Sequence, residues 1–178
     1  MKVICFGDSN TFGYDPRNYF GGQYDHPWPD LLEEKTGWHV INEGSNGREI
    51  PPIPIRFPED TDLLIILLGT NDLLQGRTPE AVCGNMERFL KSLSLDRQKI
   101  LLIAPPPMKP GQWVPNQALI ENSVALAAHY RNLAARLGIR FADSGQWIIP
   151  LAYDGVHLTE EGHRAFAEGL YNYWNKGE

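Results

Sequence analysis

Positive charge, cysteine and long apolar runs are all scarce in this sequence, and each scarcity excludes something. Sixteen Lys and Arg face 22 Asp and Glu, a net charge of −6 at neutral pH. Such a chain repels a phosphate backbone and an anionic bilayer alike, so neither nucleic acid nor a membrane is expected as a partner. The two cysteines are Cys5, inside an apolar run, and Cys83, inside a helical pattern. Both read as small buried hydrophobes rather than halves of a disulfide, which favours a reducing compartment. No apolar stretch approaches the ~18 residues of a membrane span, and the first residues lack the basic, apolar and small-residue segments of a secretory signal. A cytoplasmic location is the resulting expectation. Internal repeats, low-complexity tracts and long linkers are missing too, so residues 1–178 are expected to form a single domain. A chain of that length buries roughly two thirds of its unfolded surface.

What is present alternates. Buried-strand character appears at Lys2 to Phe6, Trp38 to Asn42, Asp62 to Leu68 and Lys99 to Ala104, and more weakly at Ile139 to Ala142. The runs "LLIILL" and "ILLIA" have no polar alternation, the mark of strands covered on both faces, as in a parallel sheet. Helical signals fall between them. Trp28 to Lys35 is a short one; Thr78-Pro79-Glu80 offers a cap, a first-turn proline and an early carboxylate ahead of Val82, Met86, Phe89 and Leu90,. Asn116 to Leu137 runs into Gly138, and Thr159 caps a last helix with Glu160 and Glu161 in its first turn,. Ile50 to Pro58 holds four prolines and is expected to be extended, with no helix of its own,. The alternation predicts an α/β fold, a three-layer α/β/α sandwich around a mostly parallel sheet of about five strands.

In such open sheets the ligand site lies beyond the carboxyl ends of the strands. The loops expected there read "GDSN", "NEGSNG", "GTND", "APPP" and, by way of a short segment, "DGVH". A serine hydroxyl becomes a nucleophile when an imidazole takes its proton, and the imidazole works best with a carboxylate fixing its tautomer. Ser9, His157 and Asp154 supply those three groups, and the Asp154-Gly155-Val156-His157 spacing lets one loop fold the carboxylate back onto the ring. Donors for a developing oxyanion are also at hand in the backbone N–H groups of Ser9 and Gly47 and the side-chain amide of Asn71,.

Taken together, "FGDSNTFG", "NEGSNG", "GTND" and "DGVH" resemble, in order and across residues 6 to 157, the four blocks of the SGNH (GDSL) hydrolase family. The segments "CFGDSNTFGYDP", "GSNGRE" and "IAPPP" are most similar to its arylesterase or acetylesterase-like branch. That branch often has tryptophan where Phe12 stands, and some members have alanine where Gly47 stands. The resemblance implies a flavodoxin-like sandwich with strand order 2-1-3-4-5 and no metal or organic cofactor. It also implies hydrolysis of small-molecule carboxylic esters or thioesters through an acyl-serine. Carried over by position, Ser9 is nucleophile and oxyanion donor, Gly47 and Asn71 are the other donors, and Asp154 with His157 completes the triad.

Other readings of the same residues remain at this stage. "GDSN" is also a plain strand-ending turn, since all four residues favour turns. Gly44 competes with Gly47 for the donor role, and Asp72 reads as a local cap. His26, His39, His129 and His163 have no acidic partner at a telling spacing, and Asp60 and Asp62 read as solvated turn residues. Phe12, Tyr14, Trp113 and Trp147 are placed either to line an acyl or aryl pocket or simply to pack. The "G-x-S-x-G" elbow is absent because Thr11 replaces its second glycine, and the phosphate-binding "G-x-x-x-x-G-K" and dinucleotide "G-x-G-x-x-G" patterns do not occur,. A sugar deacetylase, lysophospholipase or thioesterase of the same family, and a catalytically silent binding module, are the competing functions.

Overall fold

The structure is a computed structural model and describes residues 1–18 and 21–176. Five strands, β1 (Lys2–Gly7), β2 (His39–Gly44), β3 (Leu63–Leu67), β4 (Ile100–Ala104) and β5 (Arg140–Asp143), form one sheet. All pairings are parallel and the order is β2-β1-β3-β4-β5. The expected architecture and strand order are therefore observed. β3 and β4 are buried at every residue, as runs without polar alternation require,.

Alternate residues feed two separate cores. Ile4, Phe6, Leu64, Ile66, Ile100 and Leu102 point to one face. There they meet Val82, Met86 and Phe89 of α4 (Pro79–Ser92) and Leu126, Tyr130 and Leu133 of α5 (Gln117–Leu137). Val3, Cys5, Leu63, Ile65, Leu67, Leu101 and Ile103 point the other way. They meet Trp28 and Leu32 of α2 (Trp28–Thr36) and Phe166 and Leu170 of α6 (Glu160–Lys176). Each fully buried Leu, Ile or Phe contributes roughly 1.5 to 3 kcal/mol, so these two layers supply the main drive to fold.

The capping signals act as read. Thr78 Oγ1 accepts from the Ala81 N–H, Asn116 Oδ1 from the Leu119 N–H, and Thr159 Oγ1 from the Gly162 N–H,. Residues 50–58 carry no helix or strand. Two short helices were not foreseen: α1 (Ser9–Phe12) and α3 (Thr70–Leu74), each immediately after a strand. Four or five residues are too few to show a helical period, and neither segment would hold that shape outside the folded chain.

Candidate functional site

The first stretch, residues 7 to 12, is shaped by close approach. A Cβ on Gly7 would lie 2.0 Å from Thr11 Oγ1 and 2.9 Å from the Leu67 carbonyl oxygen. Only glycine lets the chain turn there from β1 straight into α1. Asp8 caps that helix, its Oδ1 accepting from the Asn10 N–H at 2.9 Å. Ser9 is thus held at the mouth of the sheet on a helical turn, not in a bare strand-ending bend.

Ser9 Oγ lies 3.0 Å from His157 Nε2, and His157 Nδ1 lies 2.7 Å from Asp154 Oδ2. The other carboxylate oxygen, Oδ1, accepts the backbone N–H groups of Val156 and His157, both at 2.9 Å. With Asp154 accepting on every side, the ring proton belongs on Nδ1, leaving the Nε2 lone pair for the Ser9 hydroxyl. Burial raises the Asp154 carboxyl, but the hydrogen bonds from the His157 ring and the two backbone N–H groups outweigh it and hold the group below its usual range,. Ser9, Asp154 and His157 are 7%, 1% and 2% exposed, so water competes little for these contacts.

One residue that sequence reasoning passed over brackets the imidazole. Asn10 donates from Nδ2 to the Val156 carbonyl at 3.1 Å and accepts at Oδ1 from the Leu158 N–H at 2.9 Å. Its amide therefore grips the backbone on both sides of His157 and ties that loop to the helix bearing Ser9. The signal lay inside "GDSN", where Asn10 read as a turn residue.

The proposed donors follow the carboxyl ends of β1, β2 and β3 in the chain. Gly47 takes φ +72°, and no atom lies within 4 Å of where its Cβ would stand, so left-handed backbone, not crowding, is what calls for glycine,. No described residue accepts from the backbone N–H of Ser9 or of Gly47. Gly44, the competitor, already donates its N–H to Asn42 Oδ1 at 2.9 Å. Asn71, in the first turn of α3, donates from Nδ2 to the Arg48 carbonyl at 3.0 Å. Asp72 is structural but does not cap α3 as expected: its Oδ2 accepts the N–H of Ile50, far back in the chain, at 3.0 Å and so anchors the proline-rich connection.

The aromatics divide. Tyr14 and Trp113 stand against the His157 ring, with centroids 4.7 and 4.9 Å away. Trp113 is carried there by a loop fastened to the Asp154 turn, its N–H donating to the Asp154 carbonyl at 3.0 Å. Trp147 instead packs on Phe166 of the α2/α6 core, so it belongs to packing alone. Phe12 is half-buried and has no ring contact with the imidazole. Two of the other histidines do have acidic partners: His26 lies 3.5 Å from Glu34 and His129 lies 3.3 Å from Glu80. Both pairs are made across the surface by residues whose separation in sequence gave no hint of contact. Asp60 pairs with Lys2 at 2.7 Å. Among the described residues no group of three His, Cys, Asp or Glu side chains is placed to hold a metal ion.

Two buried groups outside the hydrogen-bonded chain titrate abnormally and in opposite senses. Burial lifts the Asp8 carboxyl from 3.8 to about 6, and its Oδ2 has no hydrogen-bond partner. Burial lowers His163 from 6.5 to about 4; its Nδ1 accepts the Trp28 N–H while Nε2 finds no partner. Between pH 4 and 6 the folded Asp8 keeps a proton that the unfolded chain sheds, so this group favours folding more as pH falls,. Over the same window the unfolded chain charges His163 and the folded one refuses, so that group favours folding less as pH falls,. The slopes oppose each other. Asp8→Asn keeps the cap acceptor and removes one slope, so it should be more stable than the parent at pH 7 by on the order of 3 kcal/mol. It should also lose stability more steeply between pH 6 and 4. Urea midpoints across that range check this, and a parallel pH dependence in the two proteins would contradict it.

This chain of hydroxyl, imidazole and carboxylate sits within a stretch matched by the GDSL-like lipase/acylhydrolase family model, which covers residues 5–165. The chain belongs to that family. As a GDSL-like lipase/acylhydrolase it is an ester hydrolase, and its fold is similar to solved esterases over nearly its whole length. An aryl esterase from M. smegmatis is 26% identical, covering 98% of each chain with a TM-score of 0.79. A carbohydrate acetylesterase family member from Sinorhizobium meliloti is 28% identical over 98% of this chain and 97% of its own, with a TM-score of 0.78. A candidate arylesterase from Agrobacterium tumefaciens str. C58 is 30% identical over 98% of both chains, also with a TM-score of 0.78. No curated protein matches the chain. No helix among the described residues is long and apolar enough to cross a membrane.

Proposed function

We propose that this acylhydrolase is a serine esterase that cleaves small acetyl or aryl esters through an acyl-serine. The observation that carries the reading is the continuous chain from Ser9 Oγ to His157 Nε2 and from His157 Nδ1 to Asp154 Oδ2, at 3.0 and 2.7 Å. Ser9 Oγ attacks the ester carbonyl carbon while His157 Nε2 takes its proton. The carbonyl oxygen, now negative, is met by the N–H groups of Ser9 and Gly47 and the Asn71 amide, of which one donor alone is worth roughly 3 to 4 kcal/mol. His157 then returns the proton to the departing alkoxide, and a water deprotonated by the same nitrogen attacks the acyl-serine and releases the acid. Asp154 stays ionised and steadies the imidazolium in both halves.

The aromatic walls beside the imidazole support the small-substrate reading. Tyr14 and Trp113, the latter 46% exposed, stand against the imidazole and leave aromatic surface beside the nucleophile, which supports a small acyl or single aryl group. The likeness to a carbohydrate acetylesterase family member supports acetylated sugars as a second substrate class.

An organophosphonate should label the protein once, at Ser9, and a kcat/KM panel should rank p-nitrophenyl acetate above its octanoate and decanoate counterparts. Labelling elsewhere, or none, would refute the acyl-serine. A preference for the long chains would overturn the small-substrate reading while leaving the mechanism.

A further inference from the structure

Arg48 occupies an unusual place for an arginine. It is half-buried, it makes no ion pair with any described carboxylate, and all its polar contacts are with the backbone around the candidate site. Its Nη1 donates to the Gly7 carbonyl at 2.9 Å and also to the Glu43 carbonyl, while the guanidinium lies over the Phe6 ring, 4.2 Å from its centroid. Gly7 ends β1 just ahead of Asp8 and Ser9; Glu43 is the penultimate residue of β2.

The backbone of the same residue faces the other way. The Arg48 N–H donates to the Ser45 carbonyl at 3.2 Å, closing a four-residue turn whose third residue is Gly47 with its positive φ. A turn with a left-handed third residue is the kind that glycine suits, and its last residue sets how the preceding peptides face. The Arg48 carbonyl accepts the Asn71 Nδ2 proton at 3.0 Å. A single residue therefore touches the tips of two strands, the turn carrying Gly47 and the amide of Asn71.

We infer that Arg48 is the positioning residue of the oxyanion-binding side: its side chain clamps the ends of β1 and β2, and its main chain holds Gly47 and Asn71 at the donor positions. This rests on the serine-esterase reading of the same site. Withdrawing a guanidinium from water costs free energy that two carbonyl acceptors and an aromatic face offset. That cost is tolerated where placement matters, because donors displaced by a fraction of an ångström lose much of their effect on a developing charge. Both side-chain hydrogen bonds leave from one nitrogen. An ammonium group can therefore stand in for the guanidinium, whereas an apolar stem of similar length cannot.

The test is a cycle of Arg48→Met, Arg48→Lys and Asn71→Ala, assayed with p-nitrophenyl acetate. Arg48→Met should lower kcat by about 10- to 100-fold with KM changed less than about 3-fold, and Arg48→Lys should recover most of that loss. In the Asn71→Ala background, which itself loses about 10²-fold or more, the Arg48→Met penalty should shrink several-fold because one positioned donor is already gone. A parental kcat in Arg48→Met, penalties that multiply in full, or a lysine variant no better than methionine each overturn the inference. If Arg48→Met does not fold, Arg48→Gln enters the cycle under the same criteria. Ser9→Ala separates the two levels. Retained turnover there refutes the catalytic reading, whereas an inactive Ser9→Ala beside a fully active Arg48→Met refutes only the role of Arg48.

Discussion

Ser9→Ala is expected to lower kcat for p-nitrophenyl acetate by at least about 10⁴-fold, with the far-ultraviolet spectrum and melting temperature nearly unchanged. Among the described residues the hydroxyl hydrogen-bonds only His157 Nε2, so its removal deprives one imidazole nitrogen of a partner and leaves the α1 cap at Asp8 intact. That costs about 1 kcal/mol of stability, small against the barrier increase. Whatever rate remains comes from donors that stabilise water attack without a covalent intermediate. Turnover within tenfold of the parent would show that the acyl group never resides on Ser9.

Asp154→Asn should be nearly as damaging, roughly 10⁴-fold in kcat, through the tautomer of His157 and not through the fold. Asp154 Oδ1 accepts two backbone N–H groups, from Val156 and His157. In the variant the amide oxygen must stay on that side, which turns the amide nitrogen toward His157 Nδ1. A donor there selects the ring form with its proton on Nε2, and that form cannot accept the proton of Ser9. The reverse rotamer would press an amide nitrogen against two N–H donors and leave them unpaired. Because hydrogen bonds keep the Asp154 carboxyl below its usual range, the acid limb of the parent enzyme is not its titration. A kcat for Asp154→Asn within about tenfold of the parent would remove the carboxylate from the mechanism.

Parts of the molecule were legible in the chain because a single physical property governs them. β3 and β4 were visible as "LLIILL" and "ILLIA" since they are buried on both faces and admit no polar residue. The four helices with side-chain stripes were visible because their caps and periodic faces are local. α1 and α3 were invisible for the converse reason: at four and five residues they exist through a strand end and neighbours that pack on them, with a side-chain cap at α1 alone. Trp113 and Trp147 stand in similar loops, yet one edges His157 and the other packs on Phe166. Nothing in their local sequence separates them. Arg48 and Asn10 were passed over because their partners are backbone atoms contributed by other loops.

The amino-acid order alone determined the alternation of strand and helix, the parallel sheet that follows from it, and which residue types wait at the carboxyl ends of the strands. Those follow from burial, caps and glycine, all of which act over a few neighbouring residues. Tertiary structure decided that Ser9 and His157, 148 positions apart, meet at 3.0 Å, and that Asn10 and Arg48 hold the two sides of the site in place. Hydrogen bonds are satisfied over about 3 Å, a distance that only the packed sheet can set between segments so remote along the chain.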